Sequence, residues 1–362
     1  SLLSPAEGLN AIAVGAWHAD EFASAPEAFH LKDPFPNGSM PNVSSGVGLG
    51  FRQTVKPDLL FDGGRELVRA SEDEGHVWLT VDPGGNYAGQ MSAAPDGGGT
   101  GRLDVQRRTV GSSNATALIT RSAIRIYDSL VEAGYDIPRT HAAVLLKALL
   151  VHGATWGEAG SKLDEAFGPG GRDWQRHRDN ISRFLGYGRP EIDRVLDCTA
   201  ERVTLFAYGE IEQDAQDEFA IPLPPSIEGS TELRRLTMTM AWLTPINARH
   251  QQYRSATLEL LPAGDKSYSL AVGRASAQPT HIAINRGTLS HCMFEGESAV
   301  AFLDGGMLKL RVACRAQAGA LDDRVPYAVA ISLETEVGSG IAIYDEVRAA
   351  VQPAVRATAG AA

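Results

Sequence analysis

The residue best suited to do chemistry is a serine in a small-residue turn, Gly111–Ala115, which reads Gly-Ser-Ser-Asn-Ala. A long apolar pattern typical of an α-helix follows the turn. Ser113 is therefore expected at the positive end of a helix dipole, where its backbone N–H can face a developing oxyanion. Nucleophilic serines are often displayed in this way. A purely structural role is the alternative, because serine is a favoured N-cap residue and either Ser112 or Ser113 could cap the helix.

The helix after the turn is predicted from its periodicity. Apolar residues recur at intervals of three and four between Ala115 and Leu130, which is the spacing of one helix face. Ala117, Ala123 and Ile124 make the opposite side apolar as well. The expectation is therefore a largely buried helix that carries an accessible serine in its first turn.

Five segments, taken in chain order, are more specific than the turn alone. They are Asn10–Ala16 (x-x-I-x-V-G-A), Ser44–Gly46 with Lys56–Gly64 (S-S-x-G, then K-P-D), Gly111–Ala115 (G-T-S-x-A, with serine at 112), Leu145–Leu150, and Gly186–Gly188 (G-x-G). Together they resemble the C-terminal half of the catalytic domain of the subtilases, the subtilisin-like serine proteases. Phe61-Asp62 stands where the family has Ala-Pro, so the loop at that point is expected to differ.

The resemblance implies a serine endopeptidase that hydrolyses peptide bonds in a peptide or protein substrate. Ser113 would be the nucleophile, a histidine would take its proton, and an aspartate would orient that histidine. The Ser113 N–H and an asparagine would form the oxyanion hole. This chemistry needs no cofactor and no metal.

The resemblance also implies that a part of the active site is missing from this chain. In the family, the turns that carry the aspartate, histidine and asparagine precede the segment that Asn10–Ala16 resembles. None of the nine histidines is followed by Gly-Thr, the family's histidine turn. The chain, which begins at Ser1, is thus expected to be a fragment whose partner is the missing N-terminal half of the catalytic domain. Alone, it is expected to show no meaningful proteolysis.

The predicted fold class is α/β, with a partial parallel sheet and helices over residues 1–197, followed by an all-β domain. Leu9–Ala16 is expected to be a buried strand. After the serine helix, further helices are expected at Thr140–Val151, Trp156–Phe167 and Asp173–Leu185.

From Thr199 the hydrophobic pattern changes to a period of two. Such regular short strands predict an antiparallel sandwich or jelly roll over residues 198–347. The apolar stripe Met238, Met240 and Trp242 is expected in its core. Residues 348–362 are expected to form an Ala-rich tail. The predicted strands are Val203–Tyr208, Thr237–Leu243, Ala256–Leu261, Leu308–Cys314 and Tyr327–Glu334.

Composition narrows the function classes. The net charge of -11 and the pI near 5.3 argue against nucleic-acid binding, which generally needs a basic surface. The three cysteines are widely spaced, which indicates neither a disulfide framework nor a zinc site and favours a cytoplasmic location. No stretch approaches the ~20 apolar residues of a transmembrane helix, so no membrane partner is expected.

Two weaker motifs favour plain loops. Gly97–Gly101 lacks the Gly-Lys-Ser/Thr ending of a phosphate-binding loop, so a plain loop is favoured there. The whole glycine-rich segment Pro83–Gly101 is expected to be flexible.

The segment before it, Val77–Val81, is expected to be a strand. The acidic segment Glu72–His76 has no second ligand group at a suitable spacing, so a solvated loop is favoured over a metal site.

Two other functions remain open. A self-contained esterase would need an acid and a base after the serine, for which Asp197 or Asp214 and His250 or His291 are in the right order. A non-catalytic subtilase fold that serves as a binding scaffold is the second alternative. The remaining helix histidines, His152 and His177, are expected to be surface or structural residues.

Overall fold

The computed structural model describes residues 2–20, 31–73, 75–82, 88–262, 272–299 and 306–358. The strands are, in chain order, β1 (Val14–Trp17), β2 (Leu59–Asp62), β3 (Val68–Asp73), β4 (His76–Val81), β5 (Gln90–Ala93), β6 (Gln106–Thr109), β7 (Ala154–Thr155), β8 (Arg189–Pro190), β9 (Arg202–Ile211), β10 (Gln216–Pro222), β11 (Arg234–Trp242), β12 (Ala256–Pro262), β13 (Gly273–Arg274), β14 (Leu289–Gly296), β15 (Met307–Ala316) and β16 (Val325–Thr335). The helices are α1 (Ser112–Glu132), α2 (Arg139–His152), α3 (Gly157–Phe167), α4 (Trp174–Leu185), α5 (Ile192–Leu196), α6 (His281–Ile284) and α7 (Ile343–Thr358).

The chain is a mixed α/β protein with mostly antiparallel sheets, and it divides into two compact units. The first unit comprises Ser1–Arg125 and Ala154–Pro190, and the second comprises Ile126–Gly153 and Glu191–Ala362. This division differs from the single boundary expected near residue 197, because α2 is grouped with the second unit. No helix in the described ranges is long and apolar enough to cross a membrane.

The parallel part of the first unit is small. β1 and β2 pair in parallel, with Val14 opposite Leu59, and they form a two-stranded sheet. The strand expected over Leu9–Ala16 begins only at Val14, since the residues before it form turns.

Side chains from several elements of the first unit share one core. It combines residues of β1, β2, α3 and α4 with Trp156, the residue before α3. The members are Trp17, Leu60, Trp156, Ala159, Leu163, Ile181 and Leu185. The helices expected at Trp156–Phe167 and Asp173–Leu185 are confirmed as α3 and α4.

Helix α1 was expected to be largely buried, and this expectation is wrong. Ala115, Ile119 and Ile126 form one buried face, whereas Ile124 is 56% exposed and Ala117 is also exposed. Small alanines and a single isoleucine do not oblige the second face to be buried, because isolated apolar residues are common on protein surfaces. α1 is therefore amphipathic.

Two antiparallel hairpins lie in segments that were expected to contain loops. β3 pairs with β4, so Glu72 and Asp73 belong to a strand and not to a loop; Glu74 lies outside the described residues. The strand expected at Val77–Val81 is confirmed as β4. β5 pairs with β6, so Gln90–Ala93 of the loop expected over Pro83–Gly101 form a strand, whereas residues 94–101 connect the two strands without regular structure. Residues 83–87 lie outside the described ranges.

The second unit contains a sandwich of two antiparallel sheets. One has the strand order β13-β14-β11-β16-β9 and the other has the order β10-β15-β12. The five predicted strands are confirmed as β9, β11, β12, β15 and β16. The stripe Met238, Met240 and Trp242 faces the shared core, as expected, together with residues of both sheets such as Val329 and Leu310.

Residues 198–347, expected to be all-β, consist mainly of strands β9–β16, with the short helix α6 and the start of α7 as helical additions. α7 packs on β9 and β10, and α2, which precedes residue 198, packs on β11 and β16. The side of α2 that includes Leu145, Ala148 and Val151 is buried. Residues 348–358, expected to belong to a tail, continue α7.

Candidate functional site

Ser113 lies in the first turn of α1 and its side chain is exposed. The preceding Gly111 has a φ of 128°, a backbone conformation that residues with a Cβ rarely adopt. Its N–H donates a 2.8 Å hydrogen bond to the Gly63 carbonyl, one residue after β2. The turn thus depends on glycine, and it presents Ser113 where helix N–H groups have no intrahelical partner.

Asn114 fixes the start of the helix. Its Nδ2 donates to the Thr109 carbonyl at 2.8 Å and to the Gly63 carbonyl at 3.3 Å. Its Oδ1 accepts a hydrogen bond from the Thr109 hydroxyl at 3.1 Å. The residue after the serine is therefore tied to the end of β6 and to the residue that follows β2.

The β5–β6 hairpin leads directly into this turn. Gln90 of β5 pairs with Thr109, and its Nε2 donates to the Asp62 carbonyl at 3.0 Å. The turn at the tip is closed by Asp96, which accepts hydrogen bonds from the Gly98 amide, the Thr100 hydroxyl and the Arg102 amide. These hydrogen bonds hold the pKa of Asp96 below its ordinary value, and the bond from Thr100 contributes most.

This hairpin is not predicted from the sequence, because its strands are polar and lack apolar alternation. One signal was available, since Asp96-Gly97 is a dipeptide typical of hairpin turns. Gly97–Gly101 accordingly forms part of an ordered turn and not a phosphate-binding loop.

The described histidines of the first unit are His18, His76 and His177, and none of them hydrogen-bonds to Ser113. His177 instead lies 2.7 Å from Asp164, and His76 begins β4. Within the described ranges, no hydrogen-bond partner of the Ser113 hydroxyl is found. The hydroxyl is exposed, and no side chain in the described ranges is hydrogen-bonded to it as a base.

His18 is the centre of a buried cluster that the sequence analysis missed. Its Nε2 lies 2.9 Å from Asp33 Oδ1 and its Nδ1 lies 2.9 Å from Asn42 Oδ1. Arg65 donates to Asp33 Oδ2 at 2.8 Å, and its Nε lies 3.6 Å from Asp20 Oδ1. We refer to these five residues as the His18 cluster. The signal that pointed to it is the position of His18 directly after β1, at the carboxyl end of a parallel strand.

The His18 cluster is built from compensated charges. Burial raises the pKa of Asp33, but hydrogen bonds from Arg65 and the Phe35 amide, together with the charge of His18, bring that pKa below its ordinary value. His18 is fully buried and both of its ring nitrogens have partners. These contacts suit a structural role and leave His18 unsuited to act as a base.

A second buried histidine cluster lies between α2 and the five-stranded sheet. His152 Nδ1 lies 2.8 Å from the Thr239 hydroxyl and His152 Nε2 lies 2.6 Å from the Ser332 hydroxyl. Thr239 also contacts His291 Nδ1 at 2.7 Å, and Ser332 contacts Thr204 at 2.7 Å. Burial, with the nearby charge of His291, lowers the pKa of His152 to about 3. In this His152 cluster, His152 is therefore a structural and neutral residue.

The candidate residues of the esterase alternative all belong to the second unit, whereas Ser113 belongs to the first. His291 is buried in the His152 cluster. His250 Nδ1 accepts the Gln252 amide in a turn, and Asp214 accepts a hydrogen bond from the neighbouring Gln213 side chain. Asp197 follows α5, and its carbonyl accepts from Arg202.

The described residues contain no group of three or more His, Cys, Asp or Glu side chains placed to hold a metal ion.

Comparison of the chain with models of known protein families found no match, and comparison with curated proteins found no similar protein. The fold and the site thus define a mixed α/β protein with an exposed serine at the start of a helix.

Proposed function

We propose that this chain is the nucleophile-bearing part of a subtilisin-like serine endopeptidase, with Ser113 as the nucleophile. The observation that carries the proposal is the exposed Ser113 hydroxyl in the first turn of a 21-residue helix. The Gly111 turn and the Asn114 hydrogen bonds hold that turn in place. Together with the five segments that resemble the subtilases, this geometry favours acyl transfer at Ser113.

Other contacts within the first unit support the proposed subtilisin-like fold. Gly186 and Gly188 both have positive φ, and the Gly188 carbonyl accepts from the Leu60 amide of β2 at 3.0 Å. A Cβ at Gly186 would stand 2.0 Å from the Pro57 carbonyl oxygen. The Gly-x-Gly turn therefore packs closely on the strand that belongs to the K-P-D segment, which supports the resemblance.

In the proposed reaction, Ser113 Oγ attacks the carbonyl carbon of a peptide bond in a peptide or protein substrate. A histidine takes the hydroxyl proton and passes it to the leaving amine, and water then releases the acyl group. The Ser113 amide is one oxyanion donor. The histidine, the aspartate and the oxyanion asparagine are assigned to a part of the catalytic domain outside these 362 residues. The acidic net charge of -11 fits neither a nucleic-acid partner nor an anionic membrane, and a cytoplasmic location is part of the proposal.

A fluorophosphonate probe read by intact mass tests this assignment. It should be applied to this chain and to the product of the complete gene, each with Ser113→Ala and with Ser112→Ala as the matched control. We expect labelling of the longer product only, lost in Ser113→Ala and kept in Ser112→Ala.

Other outcomes would replace the proposal. Labelling of this chain alone at Ser113 would place the base within it and favour the self-contained esterase. Labelling of neither product would favour a non-catalytic subtilase fold that binds other molecules as a scaffold.

A further inference from the structure

The second unit has a cavity of about 240 Å³ between its two sheets. Leu258 and Leu260 of β12 form one wall, and Met238 and Phe294 of the five-stranded sheet form the other, while α6 contributes Ile284. We call this space the sandwich cavity. At ~30 Å³ for an atom the size of a water molecule, it has room for about eight such atoms.

The cavity follows from small side chains on β14. Ser290 pairs with Met240 and Cys292 pairs with Met238, so both point into the sandwich. The central strands fill the same layer with methionine, tryptophan and branched aliphatic residues. A serine and a cysteine at two successive inward positions leave a space opposite Leu258 and Leu260, because they are shorter than the residues around them.

Arg274 of β13 supplies the charge. It pairs with Phe294 at the edge of the sheet and lines the cavity. Its Nη1 donates to Cys292 Sγ at 3.4 Å and its Nη2 donates to the Pro279 carbonyl at 3.1 Å. Its Nε is buried and has no hydrogen-bond partner. No carboxylate in the described ranges pairs with Arg274, although a guanidinium is always charged and usually binds an anion.

Among the described residues that line the cavity, Glu259 is the acidic one, and it is already opposed by a cation. Its carboxylate lies 4.0 Å from Arg315 Nη2. The described lining therefore combines an apolar interior, the Arg274 guanidinium without an acidic partner among the described residues, and polar groups at the rim from His281 and Asn285, both of which are exposed. Binding sites for small molecules combine an apolar lining with a few converging polar groups in this way.

We propose that the sandwich cavity binds a small carboxylate, with its apolar body between the two sheets and its carboxylate on the Arg274 guanidinium. Beyond their bonds to Cys292 and Pro279, Nη1 and Nη2 of Arg274 each keep a second N–H, and a carboxylate can accept hydrogen bonds from such a guanidinium in a bidentate manner. The site is independent of Ser113 and of the proposed peptidase activity.

Isothermal titration of the full chain with two ligands of equal size tests the proposal. 4-Methylpentanoate has eight non-hydrogen atoms and fits within the cavity, and 4-methylpentanamide has the same shape without the charge. We expect one equivalent of the carboxylate to bind, and the amide to bind at least ten-fold more weakly. Equal affinities, tighter binding of the amide, or binding of neither ligand would overturn the proposal, and this comparison requires no variant.

Two variants assign the site. Arg274→Gln should weaken carboxylate binding at least ten-fold and leave the amide unaffected, whereas the matched control Arg324→Gln, at an exposed arginine paired with Glu212, should change neither. Ser290→Leu fills the cavity and should abolish binding of both ligands. Unchanged binding in Arg274→Gln or in Ser290→Leu would overturn the assignment.

Discussion

The two units bury polar groups in opposite ways. In the first unit, the His18 cluster brings together two aspartates, an arginine and a histidine, so its charges compensate one another. In the second unit, the His152 cluster pairs two histidines with hydroxyl groups only, and His152 stays neutral. Glycines with positive φ occur in both units, but Gly64, Gly186 and Gly188 of the first unit also pack closely against backbone atoms, whereas the second unit has the larger apolar core. The comparison indicates that specific contacts hold the first unit and that periodic burial holds the second.

The largest effect should come from the glycine turns of the first unit. Gly186 has a φ of 59°, and an added Cβ would stand 2.0 Å from the Pro57 oxygen. Gly186→Ala should therefore lower the free energy of unfolding of this unit by roughly 4 kcal/mol, measured by denaturant unfolding. Gly99 is the matched control, since its φ is 66° but its Cβ would meet nothing within 4 Å. Gly99→Ala should cost about 1 kcal/mol, and equal costs would contradict the importance of close packing at Gly186.

Removing one charge from the His18 cluster should have the next largest effect. Asp33→Asn leaves the buried Arg65 and His18 without their shared carboxylate. Breaking a buried pair in this way should cost about 3 kcal/mol in unfolding free energy. Hydrogen exchange at the β1 amides would assign the loss to the first unit. In the exposed pair of Asp104 and Arg102, Asp104→Asn should have no measurable effect; a similar loss there would show that burial is not the cause.

The His152 cluster should respond to acid. Folded His152 stays neutral down to a pKa of about 3, whereas the unfolded residue takes a proton near pH 6.5. The unfolded state therefore binds more protons in this window, so the contribution is complete above pH 6.5 and is lost as the pH falls toward 3. The slope is at most ~1.4 kcal/mol per pH unit. His152→Gln should flatten the pH dependence of urea unfolding, and exposed His250→Gln should not; identical profiles for His152→Gln and the unchanged chain would refute the assignment.

The acid response of Asp33, in the His18 cluster, falls in a lower window. The pKa of Asp33 is held below its ordinary value of 3.8, so its contribution is present above that value and declines only as the pH falls further. Between pH 6.5 and 4, unfolding free energy should therefore fall in the second unit and be unaffected by Asp33. Hydrogen exchange followed separately in β1 and β11 would measure the difference.

The smallest effect on stability should be at the candidate nucleophile. Ser113 is exposed and no hydrogen bond of its hydroxyl is found in the described part of the chain. Ser113→Ala should change unfolding free energy by less than ~0.5 kcal/mol, whereas Asn114→Ala removes three hydrogen bonds and should cost roughly 2 kcal/mol. Thermal unfolding of both variants would check this; a large loss in Ser113→Ala would favour the capping interpretation.

The same contrast explains what the sequence could predict. The strands of the sandwich alternate apolar and polar residues, so β9, β11, β12, β15 and β16 were predictable. The helices α1 to α4 were predictable from their spacing as well. β14 was missed because Ser290 and Cys292 interrupt its apolar face.

The first unit was less predictable because its contacts join distant residues. Asp33 and Arg65 are 32 positions apart in the sequence, so no local sequence pattern predicts that they pair. The candidate serine was visible because a turn and a helix start are local features. Its hairpin support and the hydrogen bonds of Asn114 to Gly63 depend on the folded chain.

The alternation along β11 has a consequence for how the sandwich can assemble. Met238 and Met240 face the second sheet, while Thr237 and Thr239 lie on the opposite face, where Thr239 contacts His152. A shift of β11 by a single residue against β16 would exchange these two faces. Hydroxyl groups would then enter the apolar layer, and methionines would replace the partners of both histidines. Each face thus independently penalises a shift of β11 by a single residue.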